Sequence, residues 1–326
     1  MNTFRHPDRR SVLASLAALA AAGPARADDY PSRRISLVIP FPAGGPHDVI
    51  ARPLAQALTQ ILGESVIVEN RTGGAGGMLG VREVERATPD GYTLLFGSVS
   101  TQAVAPALYK DPGFDPLTSF APVAIVSSEP TILVAAPRVT IGTVADLVAT
   151  AKANPGKLNC AAATGTLAQV SLDLFKLATG ANVVFVPYKG GAPALTDTLG
   201  GQVDLLITTT SIVTPFIRAG QLKPLGVMAE ARVPQLPEIP TMRESGFDVV
   251  SYFWTAMMAP AGTPAAIVTK LNGAINTALA SEAVRDAILK LSSQPKGGTP
   301  DDLAKLTAAE VPKWARVVKQ SGTKVY

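Results

Sequence analysis

Two hydrophobic patterns alternate along the chain. Short apolar runs, many of them rich in β-branched residues, occur at positions 35–39, 65–68, 92–96, 159–162, 183–186 and 203–207. Such runs are typical of buried parallel strands, and the segments between them carry apolar residues at the three-to-four spacing of amphipathic helices. The repeated order of a strand followed by a helix predicts an α/β fold with helices on both faces of the sheet. Because the pattern occurs in two blocks, we expect two doubly wound α/β domains with a cleft between them.

The first predicted strand leads into a glycine-rich loop and a helix. Residues 35–39 form the strand, residues 40–45 form the loop, and Pro46 suits the first helical position, where its missing N–H costs nothing. Gly63 is placed to end the helix. Pro53 lies beyond the first turn, so we expect a kink there unless the helix starts late.

The last quarter of the chain is predicted to be mostly helical. Thr263 is placed as a helix N-cap before Pro264, and Thr299-Pro300 opens a final helix. These helices have no predicted strands of their own, so we expect them to pack back on the first domain. The proline-rich segment 234–240 is predicted to be an exposed connection. The expected division is domain I, residues 28–130 plus 251–326, and domain II, residues 131–250.

The first 27 residues match a secretory signal peptide. Arg5, Arg9 and Arg10 form a basic region, residues 12–22 form an apolar core, and residues 25–27 match an A-x-A cleavage site. The apolar core is far shorter than the roughly 20 residues that a membrane span needs. We therefore expect export and cleavage, and the arginine pair leaves both the Sec and the twin-arginine routes open.

Composition narrows the possible functions further. Without the signal peptide the chain has 25 basic and 24 acidic residues and is nearly neutral, so a nucleic-acid partner is not expected. Cys160 is the only cysteine, and His47 is the only histidine outside the signal peptide. One residue of each type cannot build an internal disulfide or the common zinc and thiol-protease sites, and no metal or cofactor is expected.

Four loops after predicted strands are rich in glycine, serine and threonine. In open parallel sheets, ligands bind beyond the carboxyl ends of the strands. Backbone amides and hydroxyls there, without a cluster of arginines, suit a modest anion such as a carboxylate. Each loop alone fits an ordinary strand-to-helix connection, but together the loops favour a binding site. The predicted ligand-binding residues are Phe41, Pro42, Ala43, Gly44, Gly45, His47, Asp48, Ser98, Thr101, Ala163, Thr164, Gly165, Thr166, Thr208 and Thr209.

Two of these residues have a second interpretation. Asp48 lies in the first helical turn, where a carboxylate stabilises the helix terminus and nearby loop amides, and this structural role is the favoured one. For His47, contact with the ligand and a partly solvated position remain equally open.

Two enzymatic interpretations of the sequence are weaker. The glycine run at 73–80 lacks the dinucleotide-binding fingerprint, because Leu79 occupies the last small-residue position. Ser98 lacks the G-x-S-x-G elbow, since Phe96 and Ser100 stand at the glycine positions. A secreted serine- or threonine-type hydrolase that uses Ser98 and His47 is kept as the alternative function.

Seven motifs, in order along the mature chain, resemble the Bug-type receptors of tripartite tricarboxylate transporters. They are PFPAGGP at 40–46 with Asp48, VENR at 68–71, PDGYTL at 89–94, PGKLN at 155–159, VPYKG at 186–190, GGQVD at 200–204 and APAGTP at 259–264. The resemblance implies a monomeric periplasmic solute-binding protein with a periplasmic binding protein-like fold that closes around a small carboxylate and delivers it to a membrane permease, without catalysis. It also implies that residues 41–45 bind one carboxylate through backbone groups and ordered waters, and that residues 163–166 meet the far end of the ligand.

The chain departs from the family pattern at three places. Thr208-Thr209 stand where the family commonly has an Asp-Asn pair, so a partner for a ligand ammonium is missing and an amino-acid ligand is not expected. Gln169 stands where histidine is common, in a loop that is shorter by one residue. His47 replaces a small hydroxyl residue. These departures concern the identity of the ligand rather than the fold.

Overall fold

The computed structural model describes residues 30–323. The predicted signal peptide, residues 1–27, lies outside them. The strands are β1 (Ile35–Ile39), β2 (Val66–Asn70), β3 (Thr93–Ser98), β4 (Phe120–Ala135), β5 (Asn159–Ala163), β6 (Val184–Tyr188), β7 (Leu205–Thr209), β8 (Lys223–Val227), β9 (Tyr252–Pro260) and β10 (Gln294–Gly297). The helices are α1 (Pro46–Leu62), α2 (Met78–Glu85), α3 (Ala105–Leu108), α4 (Val144–Ala153), α5 (Leu167–Thr179), α6 (Gly191–Leu199), α7 (Thr210–Arg218), α8 (Ala265–Ala280), α9 (Glu282–Lys290) and α10 (Pro300–Ser321). Short 3₁₀ and π segments cover Ala75–Gly77 and Ser100–Val104. Within the described residues, no helix is both long and apolar enough to cross a membrane.

The strands form one mixed sheet in the order β2-β1-β3-β9-β4-β7-β5-β6, with β8 and β10 both paired to β4. The outer groups β2-β1-β3 and β7-β5-β6 are parallel, as the strand-helix pattern predicts. Between them, β9 and β4 run antiparallel to their neighbours, so the sheet is not parallel throughout.

The long strand β4 joins the two halves of the molecule. Its first part, residues 120–130, pairs with β9, and its last part, residues 131–135, pairs with β7. We call the β2-β1-β3-β9 side with its helices lobe I and the β7-β5-β6 side with its helices lobe II. The change of partner between Pro130 and Thr131 falls where the sequence analysis divides the chain, although the exact domain bounds stay a prediction.

Apolar clusters cover both faces of the sheet in each lobe. In lobe I, helices α1, α8 and α9 pack on one face, while α2, α3 and α10 pack on the other. In lobe II, α4 and α5 cover one face, and α6 and α7 cover the other. These strands are buried on both faces of the sheet, which explains why their sequences are continuous apolar runs.

The C-terminal helices pack only partly as expected. Helices α8 and α9 lie against α1 in lobe I, but α10 also contacts α5 of lobe II. Just after α10, the Thr323 hydroxyl donates to Asp173 of α5 at 2.6 Å. The last helix therefore spans both lobes, and β10 shows that this part of the chain also supplies a strand.

Two local predictions need correction. Thr263 does not cap α8, because its hydroxyl donates to the Pro260 carbonyl oxygen and Pro264 occupies the N-cap position. Helix α1 runs on past Pro53, and the kink there stays a prediction. The segment 234–240 is not simply exposed, since Leu236 and Ile239 are buried in the core of lobe II.

A test of this packing is the substitution Trp314→Ala in α10. The Trp314 side chain is fully buried, and its Nε1 donates to Glu310 at 2.6 Å. Truncation should lower the free energy of unfolding by about 3–5 kcal/mol in a urea titration, because it leaves a large cavity. Leu177→Ala in the partly exposed position of α5 is the control, and should change it by no more than about 0.5 kcal/mol. Equal effects of the two substitutions would contradict the position of α10.

Candidate functional site

A cleft of about 960 Å³ lies between the two lobes. Lobe I contributes the loop after β1 and the loop after β2, and lobe II contributes the loops after β5, β6 and β7. Thr131 of β4 and Phe253 of β9 also line it. The carboxyl ends of the parallel strands of both lobes therefore meet at one cavity, as expected for an open α/β sheet.

The loop at residues 40–45 forms the lobe I wall. Gly44 adopts φ of 78°, a left-handed conformation that favours glycine, and a Cβ added there would meet no atom within 4 Å. Gly45 occupies the N-cap position of α1 and provides no capping side chain. The intrahelical hydrogen bonds of α1 begin with the Val49 amide, which donates to the Gly45 carbonyl oxygen at 3.1 Å. The His47 and Asp48 amides precede them, and amides at such a position suit an anion.

Asp48 fixes this loop from behind. Its carboxylate accepts hydrogen bonds from the Gly44 amide at 3.0 Å, from Arg52 at 2.8 Å through both Nε and Nη2, and from Asn70 at 3.1 Å. Asn70 also donates to the Phe41 carbonyl oxygen at 3.0 Å. Burial alone would raise the pKa of Asp48, but these hydrogen bonds and the positive charge of Arg52 hold it below its usual value. Asp48 is thus an ionised anchor, and the Gly44 amide is already used.

His47 lies in a box of aromatic rings. Its imidazole stacks on Phe41 with centroids 4.2 Å apart, and it meets Phe96 and Phe253 edge to face at 6.4 and 5.2 Å. Burial lowers the pKa of His47 to about 3, so the ring is neutral at physiological pH. Its Nε2 is buried without a hydrogen-bond partner among the described residues. His47 lines the cleft but is not partly solvated, contrary to one of the two interpretations of the sequence.

The opposite wall belongs to lobe II. In the loop after β5, the Gly165 amide donates to Gln169 at 2.8 Å and the Thr166 hydroxyl donates to the Ala163 carbonyl oxygen at 2.8 Å. Thr208 and Thr209 end β7 and line the same wall. The loop after β5 is therefore held in place by hydrogen bonds within lobe II.

Residues 187–193 are a part of the wall that sequence reasoning did not select. They carry Lys189, the only Lys or Arg among the described residues that line the cleft, and they lead into α6. No aspartate or glutamate lines the cleft in the described part of the chain. The Tyr188 hydroxyl donates a hydrogen bond to the Asp197 carboxylate at 2.6 Å. The VPYKG motif is the signal that could have indicated this wall.

The glycine run at 73–80 shapes the cleft. Residues 72–74, 76 and 77 line it, and a Cβ on Gly77 would lie 2.7 Å from the Pro40 carbonyl oxygen. A Cβ on Gly76 would lie 3.4 Å from the Gly165 carbonyl oxygen in the other lobe. The glycines therefore allow close backbone approach within and between lobes, a role that depends on tertiary structure.

Four of the predicted binding residues do not line the cleft, namely Asp48, Ser98, Thr101 and Gly165. Thr101 donates to the Ser98 carbonyl oxygen at 2.9 Å and accepts from the Ser98 amide. Ser98 Oγ is buried and has no hydrogen-bond partner in the part of the chain that the structure describes, and the same holds for His47 Nε2, so the two side chains do not bond to each other. The other predicted residues line the cleft: Phe41, Pro42, Ala43, Gly44, Gly45, His47, Ala163, Thr164, Thr166, Thr208 and Thr209.

Comparison with known proteins gives consistent matches. The TctC family model, described as a tripartite tricarboxylate transporter family receptor, matches residues 50–323. The protein BugT of Bordetella pertussis is 39% identical over 313 residues, which cover 95% of this chain and 96% of BugT.

Solved structures agree over most of the chain. A structure from R. palustris with adipate has a TM-score of 0.84 at 34% identity and covers 90% of this chain and 99% of that chain. MatC from Rhodopseudomonas palustris with bound malate has a TM-score of 0.81 at 33% identity and covers 89% of this chain and 100% of that chain. Other similar structures are a periplasmic transporter and a periplasmic binding protein. The predicted fold of two α/β lobes around a cleft is therefore confirmed.

The anchoring role of Asp48 can be tested by acid titration of Asp48→Asn. Near neutral pH, the loss of acceptors for the Gly44 amide and Arg52 should lower the free energy of unfolding by about 1–3 kcal/mol. Because the folded-state pKa of Asp48 is below its usual value of 3.8, its contribution is complete above that pH and is lost as the pH falls through the folded-state pKa. The difference between wild type and variant should therefore shrink below about pH 4.

The matched control is Asp301→Asn, which removes another acidic partner of an i,i+4 pair, here exposed with Lys305 in α10. Its unfolding curves should stay close to those of the wild type at neutral pH. If Asp48→Asn changed the free energy of unfolding as little as this control does, Asp48 would not anchor the loop.

Proposed function

The chain belongs to the TctC family of tripartite tricarboxylate transporter receptors, and from that premise we propose that it captures a small carboxylate in the cleft and delivers it to a membrane permease. The ligand is a mono-, di- or tricarboxylate, and no chemical step takes place on it.

The charge of the cleft wall carries this proposal. Among the described residues that line the cleft, Lys189 has the one positive side chain and none has a carboxylate, and the first turn of α1 offers amides at the 40–45 loop. An anion placed there meets hydrogen-bond donors and no negative side chain on the wall itself. The adipate and malate in the two R. palustris structures belong to the ligand class that this wall suits.

The same wall disfavours an amino acid. An α-ammonium group needs an anionic or strongly accepting partner when it leaves water. Thr208 and Thr209 line the lobe II wall, and their hydroxyls carry no charge that could balance an ammonium group. We therefore expect carboxylates without an amino group to bind best.

The hydrolase alternative has no observation in its favour. Ser98 is fully buried behind the cleft wall, and its hydroxyl has no hydrogen bond to His47. A serine nucleophile needs a base within hydrogen-bond reach and access to its substrate.

We also infer a periplasmic location and a monomeric receptor that docks on transmembrane permease subunits. The signal-peptide pattern in the sequence supports export, and periplasmic proteins are among the similar structures. The Sec and twin-arginine routes both remain compatible with the pattern.

The receptor function can be tested by thermal unfolding of mature protein that has been stripped of ligand. The panel contains adipate, malate, benzoate and citrate, with uncharged adipamide and the amino acid aspartate as matched controls. A binding carboxylate at 100 times its dissociation constant should add about 2.7 kcal/mol to the free energy of unfolding, and the controls should add little. The proposal fails if no carboxylate raises the melting temperature.

A second test asks whether the ligand binds at the 40–45 loop, and it uses the substitution Gly44→Val. A side chain at this left-handed position costs about 1–2 kcal/mol and projects into space that the ligand needs. Gly63→Val is the control, because Gly63 has nearly the same φ, 77°, equally open surroundings and no contact with the cleft. Both variants should lose similar stability, but only Gly44→Val should lose the carboxylate-induced shift in melting temperature. If Gly44→Val bound the ligand normally, the ligand site would not lie at the 40–45 loop.

A further inference from the structure

A buried carboxylate that does not line the cleft lies directly behind its lobe II wall. Glu129 of β4 is 1% exposed, and it pairs in register with Phe253 of β9, a residue of the cleft lining. Its side chain reaches from the lobe I part of β4 to the start of α7 in lobe II. Glu129 is thus a contact between the lobes as well as a group beside the ligand site.

Three donors of α7 satisfy this carboxylate. Glu129 Oε2 accepts from the Ser211 amide at 2.8 Å and from the Thr210 hydroxyl at 3.1 Å, and Oε1 accepts from the Ser211 hydroxyl at 2.9 Å. Thr210 and Ser211 directly follow Thr208 and Thr209 of the cleft wall. The amide end of α7 is therefore filled by a side chain of this protein and is not open to a carboxylate of the ligand.

Both protonation states of Glu129 fit this environment. The ionised carboxylate accepts the three hydrogen bonds, and a protonated carboxyl can donate to the Ser211 hydroxyl while still accepting from the amide. In the described part of the chain Glu129 forms no ion pair. Burial raises the pKa of Glu129 to about 7, and the opposing effect of the hydrogen bonds from Ser211 and Thr210 only partly offsets it.

The charged and titratable groups on the neighbouring elements leave Glu129 isolated. Glu129 is the only charged residue of β4, and β7 carries none. Arg218 at the far end of α7 donates to the Gln235 carbonyl oxygen, and the Tyr252 hydroxyl of β9 accepts from the Glu230 amide. Helix α9 carries Glu282, Arg285, Asp286 and Lys290, and β10 carries Lys296, all of them exposed. Helix α1 carries the neutral His47 and the ion pair of Asp48 with Arg52.

We propose that Glu129 couples the binding of a second negative charge at the lobe II wall to the uptake of a proton. This inference rests on the proposed receptor function and adds a determinant of ligand charge. A ligand with a single carboxylate at the 40–45 loop places no charge beside Thr208 and Thr209, so it brings one negative charge fewer towards Glu129 than a dicarboxylate does. A dicarboxylate whose second charge approaches Thr208 and Thr209 is repelled by ionised Glu129 and accepted when Glu129 is protonated. Two like charges about 10 Å apart at an effective dielectric constant of about 20 repel strongly enough to change affinity by about tenfold.

The test compares two probes that differ by one charge, adipate and monomethyl adipate. Their dissociation constants are measured by calorimetry between about pH 6.5 and about pH 8.5, a range in which the free carboxyl groups stay ionised. In the wild type, the affinity for adipate should fall by up to about tenfold as the pH rises, and the affinity for the monoester should change much less. The ratio of the two affinities is therefore the measured quantity.

The variant Glu129→Gln mimics the protonated side chain, because its amide oxygen accepts from the Ser211 amide and its NH₂ group donates to the Ser211 hydroxyl. At high pH, the variant should bind adipate with the affinity that the wild type shows at low pH. Its ratio of adipate affinity to monoester affinity should no longer depend on pH. Glu238→Gln, at an exposed position in the same lobe, should retain the wild-type ratio at every pH.

Wild-type protein alone gives a second measurement that does not depend on the folding of the variant. The binding enthalpy of adipate in buffers of different ionisation enthalpy reports the number of protons taken up, which should be a substantial fraction of one near pH 7.5 and smaller for the monoester. Binding of both probes with a pH-independent ratio and no proton uptake would overturn this inference and leave the receptor function intact. Absence of binding by both probes would overturn the proposed ligand class, and this inference with it.

Discussion

The position of the cleft-lining loop at residues 40–45 of lobe I depends on one buried carboxylate. Asp48 holds Gly44 directly and holds Phe41 through Asn70, while Arg52 balances its charge. Ordering a loop with two adjacent glycines costs about 1–2 kcal/mol per residue. Because these contacts already order the loop, the free amides in the first turn of α1 have a fixed position.

Lobe II uses a carboxylate at the start of a helix as well, but in a different electrostatic setting. Asp48 has an arginine partner from its own helix, and its pKa lies below the usual value. Glu129 reaches α7 from the other lobe, has only neutral donors and is fully surrounded by protein, so its pKa rises to about 7. The presence of a cation separates the two cases: the first carboxylate is a permanent anchor, and the second can titrate near physiological pH.

The sequence predicts the parallel units well because each has a short apolar strand and a helix with local start and stop residues. It does not predict β4 or β9. Strand β4 contains Pro122, Pro130 and the polar stretch 127–129, and two irregularities in its pairing with β9 shift the alternation of its side chains. A strand with such bulges has no constant period of two, so its pairing becomes visible only in the assembled sheet.

The same limit applies to the site. The loops after β1, β5 and β7 are predictable, since glycine and hydroxyl residues follow each strand. The burial of His47 among Phe41, Phe96 and Phe253 brings together distant segments and leaves no local pattern. The two lobes meet in two places of different character. Gly76 approaches the Gly165 backbone, with Ala105 and Tyr109 beside the two glycines. One apolar cluster joins residues of both lobes, including Leu167, Val170, Trp254 and Trp314. Separation of the lobes at this cluster would expose large side chains at about 25 cal/mol per Å². Because Leu167 and Phe253 of the cluster also line the cleft, the apolar contact between the lobes reaches the edge of the cleft.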